Sequence, residues 1–249
     1  MAGPHESKRT PAWFNRLRQD EESEAQRLGL TDTAYCARNA TKIRVLDYRS
    51  EICCSPGLHA LTMSTSILFW RRTDVEGLER LELAIETDRV VATATVICLE
   101  AGGFRLDHRW ILDADWRAQC VTVERWNSQG HGVLRLERAG TGWRVDGTTR
   151  ADLEGAEEPD LSVTPFCNTL PIRRTPELEG ESLPLDTAFI DGAALTVARS
   201  SQRYDRQGPG RLRYVDLGLS RGFQADLVVD DAGLVLRYEH LFERVAAAS

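Results

Sequence analysis

The chain has 249 residues, a formal net charge of -7 at pH 7 and a mean hydropathy of -0.35. No apolar run approaches the roughly 18 residues that a membrane-spanning helix needs, and residues 1–20 lack the apolar centre of a secretory signal. A negative net charge disfavours nonspecific nucleic-acid binding, which needs a basic surface. We therefore expect a cytoplasmic protein with no transmembrane segment and no nucleic-acid partner.

Six cysteines are scattered along the chain, and none belongs to a Cys-x-x-Cys pair. Without an export signal, this pattern predicts reduced thiols rather than disulfides. Cys53 and Cys54 could be combined with Cys36 and His59, but that spacing matches no familiar zinc site. We expect neither a metal nor a cofactor.

Residues 1–62 contain no alternating strand pattern, and their one helical candidate, residues 13–28, has a thin apolar face. We expect a poorly ordered N-terminal extension. The alternative is a gene start placed upstream of the true initiator, because Met63 directly precedes the first strand pattern. Residues 63–246 form the predicted domain, and residues 247–249 form a tail.

From residue 66 onward, apolar and polar residues alternate with the period of β-strands. Residues 151–159 are predicted to be an acidic loop, residues 204–210 a polar turn, and Asp191-Gly192 a break between strands. The predicted strands cover residues 67–72, 78–85, 90–99, 104–112, 116–126, 133–138, 143–147, 185–197, 211–217, 223–229, 234–238 and 241–245. Short strands joined by turns predict an all-β, mostly antiparallel barrel, roll or sandwich.

The segment from Thr164 to Arg174 has the densest local pattern of the chain. Its two prolines, Pro165 and Pro171, disfavour a helix and predict an extended path. Adjacent residues of a strand point to opposite faces, so at most one of the two arginines at its end, Arg173 and Arg174, should reach a given pocket.

Four groups of residues together resemble one known family. They are Trp70-Arg71-Arg72, Gly142-Trp143 with Asp146-Gly147, the segment 164–174, and residues 223–227 with Tyr238 and residues 241–244. In order and spacing, residues 66–245 resemble the bacterial putative glycolipid-binding domain family, formerly a domain of unknown function. The resemblance implies a single-domain spiral β-roll, similar to the half-open barrels of bacterial lipoprotein carriers, with an internal apolar cavity.

A cavity that binds an amphipathic ligand needs an apolar interior and a polar mouth. The guanidinium groups could hold a phosphate, a carboxylate or a sugar, and indole rings could stack on a sugar. The candidate ligand-binding residues are Arg173, Arg174, Asn168, Trp110, Trp143, Phe104 and Leu106. The alternatives are an ordinary core for the apolar residues, a backbone cap for Asn168, and a salt bridge between an arginine and the acidic residues 154–160.

The predicted function is non-enzymatic binding of a lipid-like ligand, with a glycolipid as the ligand that the resemblance implies. The sequence leaves the oligomeric state open. One alternative is an enzyme acting on a glycolipid or sugar ester through paired carboxylates, and another is a protein-interaction scaffold without a cavity. The carboxylates considered are Asp113, Asp115, Glu157, Glu158, Asp230 and Asp231. We expect no catalysis, because none of them stands in a recognisable catalytic context.

Overall fold

The computed structural model describes residues 64–246, which form one 15-stranded sheet. The strands are β1 (Ser64–Arg72), β2 (Gly77–Ile85), β3 (Arg89–Cys98), β4 (Phe104–Asp113), β5 (Ala118–Asn127), β6 (Gly130–Ala139), β7 (Gly142–Val145), β8 (Thr148–Arg150), β9 (Glu158–Leu161), β10 (Ser182–Asp191), β11 (Thr196–Gly208), β12 (Arg211–Asp216), β13 (Gln224–Val229), β14 (Val235–Tyr238) and β15 (Phe242–Val245). Short 3-10 turns lie at Glu100–Gly102, Ala151–Leu153 and Phe166–Asn168, and one helix, α1, covers Thr169–Ile172.

From the centre of the sheet, β1 to β8 follow one another outward on one side, and β15 back to β9 follow one another outward on the other. The sheet runs β8-β7-β6-β5-β4-β3-β2-β1-β15-β14-β13-β12-β11-β10-β9. The first and last strands pair at the centre, where Phe69 lies opposite Val245. Every neighbouring pair is antiparallel except β9 and β10, which are parallel. The sheet is not closed into a barrel, since β8 and β9 are its edges, and the all-β, mostly antiparallel half-open roll is confirmed.

Two apolar clusters fill the concave side of the sheet. The first is built mainly on β1 to β7, and its largest side chains, Trp70, Trp110 and Trp143, are fully buried. The second lies among β10 to β15, around Tyr204 and Leu227. Alternate residues of each strand point inward, as the sequence pattern predicts.

The segment 164–174 corrects one prediction, because it is helical and not extended. Pro165 precedes the 3-10 turn Phe166–Asn168, and Pro171 is the third residue of α1. A backbone N–H in the first turn of a helix has no partner within the helix, so proline costs nothing there. The segment is buried between the two clusters, with Phe166 in the first and Ile172 in the second.

Residues 204–210 correct a second prediction, because most of the expected turn belongs to the long strand β11. The inward-facing side chains of this strand include Ser200, Gln202 and Arg206, which are polar although they are buried. Polar residues on the inner face hide the alternation on which the prediction relied. The last two residues of the predicted acidic loop, Glu158 and Pro159, belong to β9 instead. The break at Asp191-Gly192 is confirmed, since β10 ends at Asp191.

The predictions for residues 1–62 and 247–249 lie outside the described residues. Among residues 64–246, no helix is long and apolar enough to cross a membrane.

Replacing Phe166 with alanine tests whether the buried segment holds the two clusters together. Its ring is fully buried and packs edge-on against Trp110, with ring centroids 5.8 Å apart. We expect Phe166→Ala to lower the free energy of unfolding by about 3–5 kcal/mol, measured by urea denaturation. Leu178→Ala is the control, because that side chain is 70% exposed. Equal stability of the two variants would contradict this role for the segment.

Candidate functional site

Two cavities lie at opposite ends of the strands that build the second cluster. One is lined by the turn that joins β11 to β12 and by the turn that joins β13 to β14. The other is lined by the loop that joins β12 to β13 and by the turn that joins β14 to β15. Successive hairpin turns alternate between the two ends of antiparallel strands. The segment 164–174 contributes to both cavities, with Thr164 and Asn168 at one end and Ile172 and Arg173 at the other.

The second of these, the aromatic cavity, has a volume of about 290 Å³. It is lined by Asp160, Leu161, Ser162, Thr164, Asn168, Phe189, Tyr214, Asp216, Ser220, Phe223, Tyr238, Leu241 and Phe242. Tyr214 contacts Phe223 and Tyr238 at ring-centroid distances of 6.1 and 5.8 Å, and Tyr238 contacts Phe242 at 6.2 Å. These rings form a continuous aromatic wall.

Polar groups from the segment and its neighbours line the same cavity. The thiol of Cys167 donates to Asp160 Oδ1 at 3.1 Å, while Asp160 Oδ2 accepts no hydrogen bond from the described residues. Burial, helped by the negative charge of Asp216, raises the pKa of Asp160 to about 6. Asn168 donates from Nδ2 to the hydroxyl of Tyr204 at 2.8 Å. One carboxyl oxygen of Asp160 therefore has no hydrogen-bond partner among the described residues.

Asp216 is the second carboxylate of the aromatic cavity, and its own protein partners use most of its capacity. Its Oδ1 accepts the backbone N–H groups of Gly218 and Ser220 at 2.8 and 3.0 Å. The hydroxyl of Tyr214 lies 3.3 Å from its Oδ2. Asp216 thus fixes the loop after β12 in place.

A buried chain of hydrogen bonds holds the beginning of the segment. Thr164 donates from its hydroxyl to Glu79 Oε1 at 2.8 Å, and His108 Nε2 lies 3.0 Å from the same oxygen. Trp110 Nε1 donates to His108 Nδ1 at 3.0 Å. An indole N–H can only donate, so His108 Nδ1 carries no proton and Nε2 is the donor to Glu79. This chain ties strands β2 and β4 to the segment.

The other cavity, the arginine cavity, has a volume of about 480 Å³. Its lining includes Arg173, Arg206 and the glycine-rich turn at residues 208–210. Arg173 donates from Nη1 to the carbonyl oxygen of Ala232 at 2.6 Å, and its guanidinium lies 4.2 Å from the ring centroid of Trp116. Partial burial lowers the pKa of Arg173 from its ordinary value.

Arg174 points away from both cavities and forms a salt bridge, which is the alternative that the acidic stretch suggested. Its Nη1 donates to Glu158 Oε1, and its Nη2 lies 3.6 Å from a carboxyl oxygen of Glu157. Glu158 Oε2 also accepts the backbone N–H of Ala118 at 3.0 Å. Burial raises the pKa of Glu158. Only one of the two arginines lines a cavity, as expected. The expectation assumed a strand, in which adjacent side chains point to opposite faces, whereas both residues follow a helical turn.

The structure separates the predicted binding residues. Asn168 lines the aromatic cavity and Arg173 lines the arginine cavity. The other apolar and aromatic candidates, Phe104, Leu106, Trp110 and Trp143, are buried in the first cluster and line neither cavity. Trp143 has its N–H bonded to the carbonyl oxygen of Ala156 at 2.9 Å. A ligand contact by these four side chains stays a prediction.

Sequence reasoning missed the aromatic wall and Asp160 as site residues. Phe223, Tyr238 and Phe242 did appear among the residues that carry the family resemblance, and that was the available signal. Their convergence depends on the turns between β12 and β15, which no local pattern encodes. Asp160 was considered only as one of the acidic residues that could form a salt bridge with an arginine.

Comparisons with known proteins agree with this architecture. A protein-family profile described as "Putative glycolipid-binding" matches residues 67–244. The 1.80 Å crystal structure of a DUF1089 family protein from Pseudomonas aeruginosa is similar to this chain, with a TM-score of 0.58 and 27% sequence identity. That similarity covers 78% of this chain and 99% of the other. No curated protein matches the chain. Both cavities lie within the matched residues.

The two adjacent arginines offer a matched test of the salt bridge. We expect Arg174→Met to lower the free energy of unfolding by about 2–4 kcal/mol, because it removes a partner of the buried Glu158 carboxylate. Arg173→Met removes an exposed guanidinium and should cost less than about 1 kcal/mol. Urea denaturation of both variants measures the difference. A larger loss for Arg173→Met would show that Glu158 does not depend on Arg174.

The raised pKa of Asp160 predicts a pH dependence of stability. The folded protein keeps this proton up to about pH 6, whereas the unfolded chain releases it near the ordinary value of 3.8. The folded state therefore binds more protons in this window, and the contribution of Asp160 to stability falls as the pH rises through it. Asp160→Asn should remove that fall. Urea denaturation should therefore show that the free energy of unfolding of the variant rises, relative to that of the natural protein, between pH 4 and pH 7. Parallel stability profiles would contradict the raised pKa.

Proposed function

Because the chain belongs to the family described as "Putative glycolipid-binding", we propose that it binds a glycolipid, or a related amphipathic sugar ligand, in the aromatic cavity without transforming it. The observation that carries the proposal is the pairing of an aromatic wall with a free carboxyl oxygen in one cavity. An aromatic face packs against the C–H face of a sugar ring, while polar side chains bond its hydroxyl groups. The wall around Tyr214 and Tyr238 offers the first contact, and Asp160 offers the second.

The size of the cavity indicates which part of the ligand enters it. A volume of about 290 Å³ is at the lower end of the range of roughly 300–1,000 Å³ for small-molecule sites. It suits a polar head more than a whole lipid. We therefore place the sugar inside, against Asp160 and Asn168.

Apolar side chains in and beside the loops that line the aromatic cavity offer a place for the hydrocarbon part. Leu219, in the loop between β12 and β13, is 57% exposed. Phe223 and Leu241 are half-buried and line the cavity close to the same loop. A hydrocarbon chain lying over these side chains would remove apolar surface from water. This arrangement reverses the predicted one, in which the apolar part lay inside and arginines met the head.

The proposal keeps a bacterial cytoplasmic setting. Cys98, Cys120 and Cys167 are free thiols in the part of the chain that the structure describes. Free thiols suit a reducing compartment.

Titration with alkyl glycosides tests the proposal. The probes are octyl glucoside and dodecyl maltoside below their micelle-forming concentrations, followed by isothermal titration calorimetry. We expect Phe223→Ala to weaken binding about tenfold, because it removes part of the aromatic wall. Phe69→Ala is the matched control, since Phe69 is also half-buried but lines neither cavity.

Free glucose and octanol separate the two halves of the ligand. Weak binding of each alone and tighter binding of the glycoside would support an amphipathic site. No binding of any glycoside, together with no lipid in native mass spectra of protein purified from its bacterial host, would refute the proposal. Equal loss in Phe69→Ala and Phe223→Ala would also refute this location.

A second function, hydrolysis of a glycolipid, is favoured by one observation. Asp160 and Asp216 line the same cavity, and Asp160 has a raised pKa. A pair of carboxyl groups of which one holds its proton is the arrangement that glycoside hydrolysis uses. Incubation with 4-nitrophenyl glycosides distinguishes the two functions. Turnover that Asp160→Asn abolishes would replace binding with catalysis, whereas unchanged substrate and retained binding support a carrier or sensor.

A further inference from the structure

The arginine cavity lies at the end of the roll opposite the aromatic cavity, and its residues are not used by the proposed function. Two arginines from different elements line it. Arg206 comes from the end of β11, and Arg173 follows α1. A volume of about 480 Å³ is within the range of roughly 300–1,000 Å³ for small-molecule sites.

Arg206 is a buried cation without a counter-ion. It is only 9% exposed, and no carboxylate of the described residues lies within ion-pair distance of it. Its Nε donates to the carbonyl oxygen of Pro176 at 3.0 Å, and its Nη2 donates to that of Thr175 at 3.2 Å. Its Nη1 has no hydrogen-bond partner among the described residues. Buried charges are normally paired, so the charge of Arg206 remains available for an anionic partner.

Arg173 is also held in place without a carboxylate. Its guanidinium rests on the indole of Trp116 and donates to the carbonyl oxygen of Ala232. Trp116 has a φ of 62°, a left-handed conformation that is strained for a bulky residue. By contrast, the guanidinium groups of Arg72 and Arg244 donate to carboxylates. The two cations of the arginine cavity are anchored by neutral groups, which leaves their charge for a ligand.

The carboxylates around the arginine cavity do not fill this role. Asp230 already binds Arg244 through Oδ2 at 2.6 Å and accepts two backbone N–H groups through Oδ1. Glu177 and Asp231 are exposed and make no ion pair within the described part of the chain. Their charges are screened by water and salt. The two carboxylates weaken the attraction of the cavity for an anion, but they do not pair with its arginines.

We propose that the arginine cavity binds a phosphate-type oxyanion through Arg206 and Arg173, either as free phosphate or as the phosphate ester of a lipid head. A guanidinium fork matches two oxygens of a tetrahedral oxyanion and bonds them with charge assistance. Two forks held in place before binding lose little freedom when the anion arrives. The site is independent of the glycolipid proposal, because it uses other residues at the other end of the strands.

Titration with inorganic phosphate at constant ionic strength tests the site, with 31P NMR or calorimetry as the readout. We expect saturable binding that Arg206→Met weakens at least about tenfold and Arg173→Met weakens severalfold. Arg203→Met is the matched control, because it removes the same charge from β11 but Arg203 pairs with Asp205 and does not line the cavity. Glu177→Gln should tighten binding by a small factor, since it removes an opposing charge.

Two further arms keep the result decisive. Arg206→Lys is included in case the methionine variant misfolds. It keeps the charge but loses the guanidinium fork, so it should bind phosphate more weakly than the natural protein does. Glycerol 3-phosphate and dihexanoyl phosphatidic acid distinguish the sources, because tighter binding of the lipid ester indicates a lipid head and equal binding indicates free phosphate.

The proposal is overturned if the natural protein binds none of these phosphates. Equal affinities in Arg206→Met, Arg173→Met and Arg203→Met, with circular dichroism showing folded protein, would overturn it as well. Phe223→Ala should leave phosphate binding unchanged. Failure here and failure of the glycolipid proposal can therefore be told apart.

Discussion

An open roll of 15 strands must cover its concave face, and segment 164–174 helps to meet that constraint. Apolar side chains on the inner face of a sheet need a partner layer to be removed from water. Phe166 and Leu170 pack into the first cluster, and Ile172 packs into the second. The same eleven residues then supply Asn168 to one cavity and Arg173 to the other. The same segment thus fills the interior of the roll and lines the cavities at both of its ends.

Buried charge fixes the position of this segment more tightly than apolar packing alone could do. Glu79 receives the hydroxyl of Thr164 at its beginning, and Glu158 receives Arg174 at its end. A buried carboxylate without partners is destabilising, so a shift of the segment along the roll would break both contacts and leave both glutamates without these partners. Apolar surfaces tolerate such sliding because their contacts are not directional. The two glutamates therefore set the register in which the cavities form.

The sequence predicted the strands well because period-2 alternation is local, as in β2 and β4. It failed where the inner face is polar, as at Gln202 and Arg206, and where proline occupies the first turn of a helix, as at Pro171. The salt bridge between an arginine and the acidic stretch was among its alternatives. The aromatic wall could not be derived, because Tyr214 and Phe242 meet only through the order of strands in the sheet.

The packed middle of the second half of the roll determines how its two ends relate. Leu212, Leu227 and Tyr204 are nearly or fully buried between the cavities. Protein interiors are close-packed and leave no path for a ligand chain, so one molecule cannot occupy both ends through the interior. An aromatic cavity with carboxyl groups and a cavity with unpaired guanidinium groups also favour different chemistry. The roll therefore has two separate cavities joined by one buried segment, and any communication between them must pass through residues 164–174 or the strands that surround it.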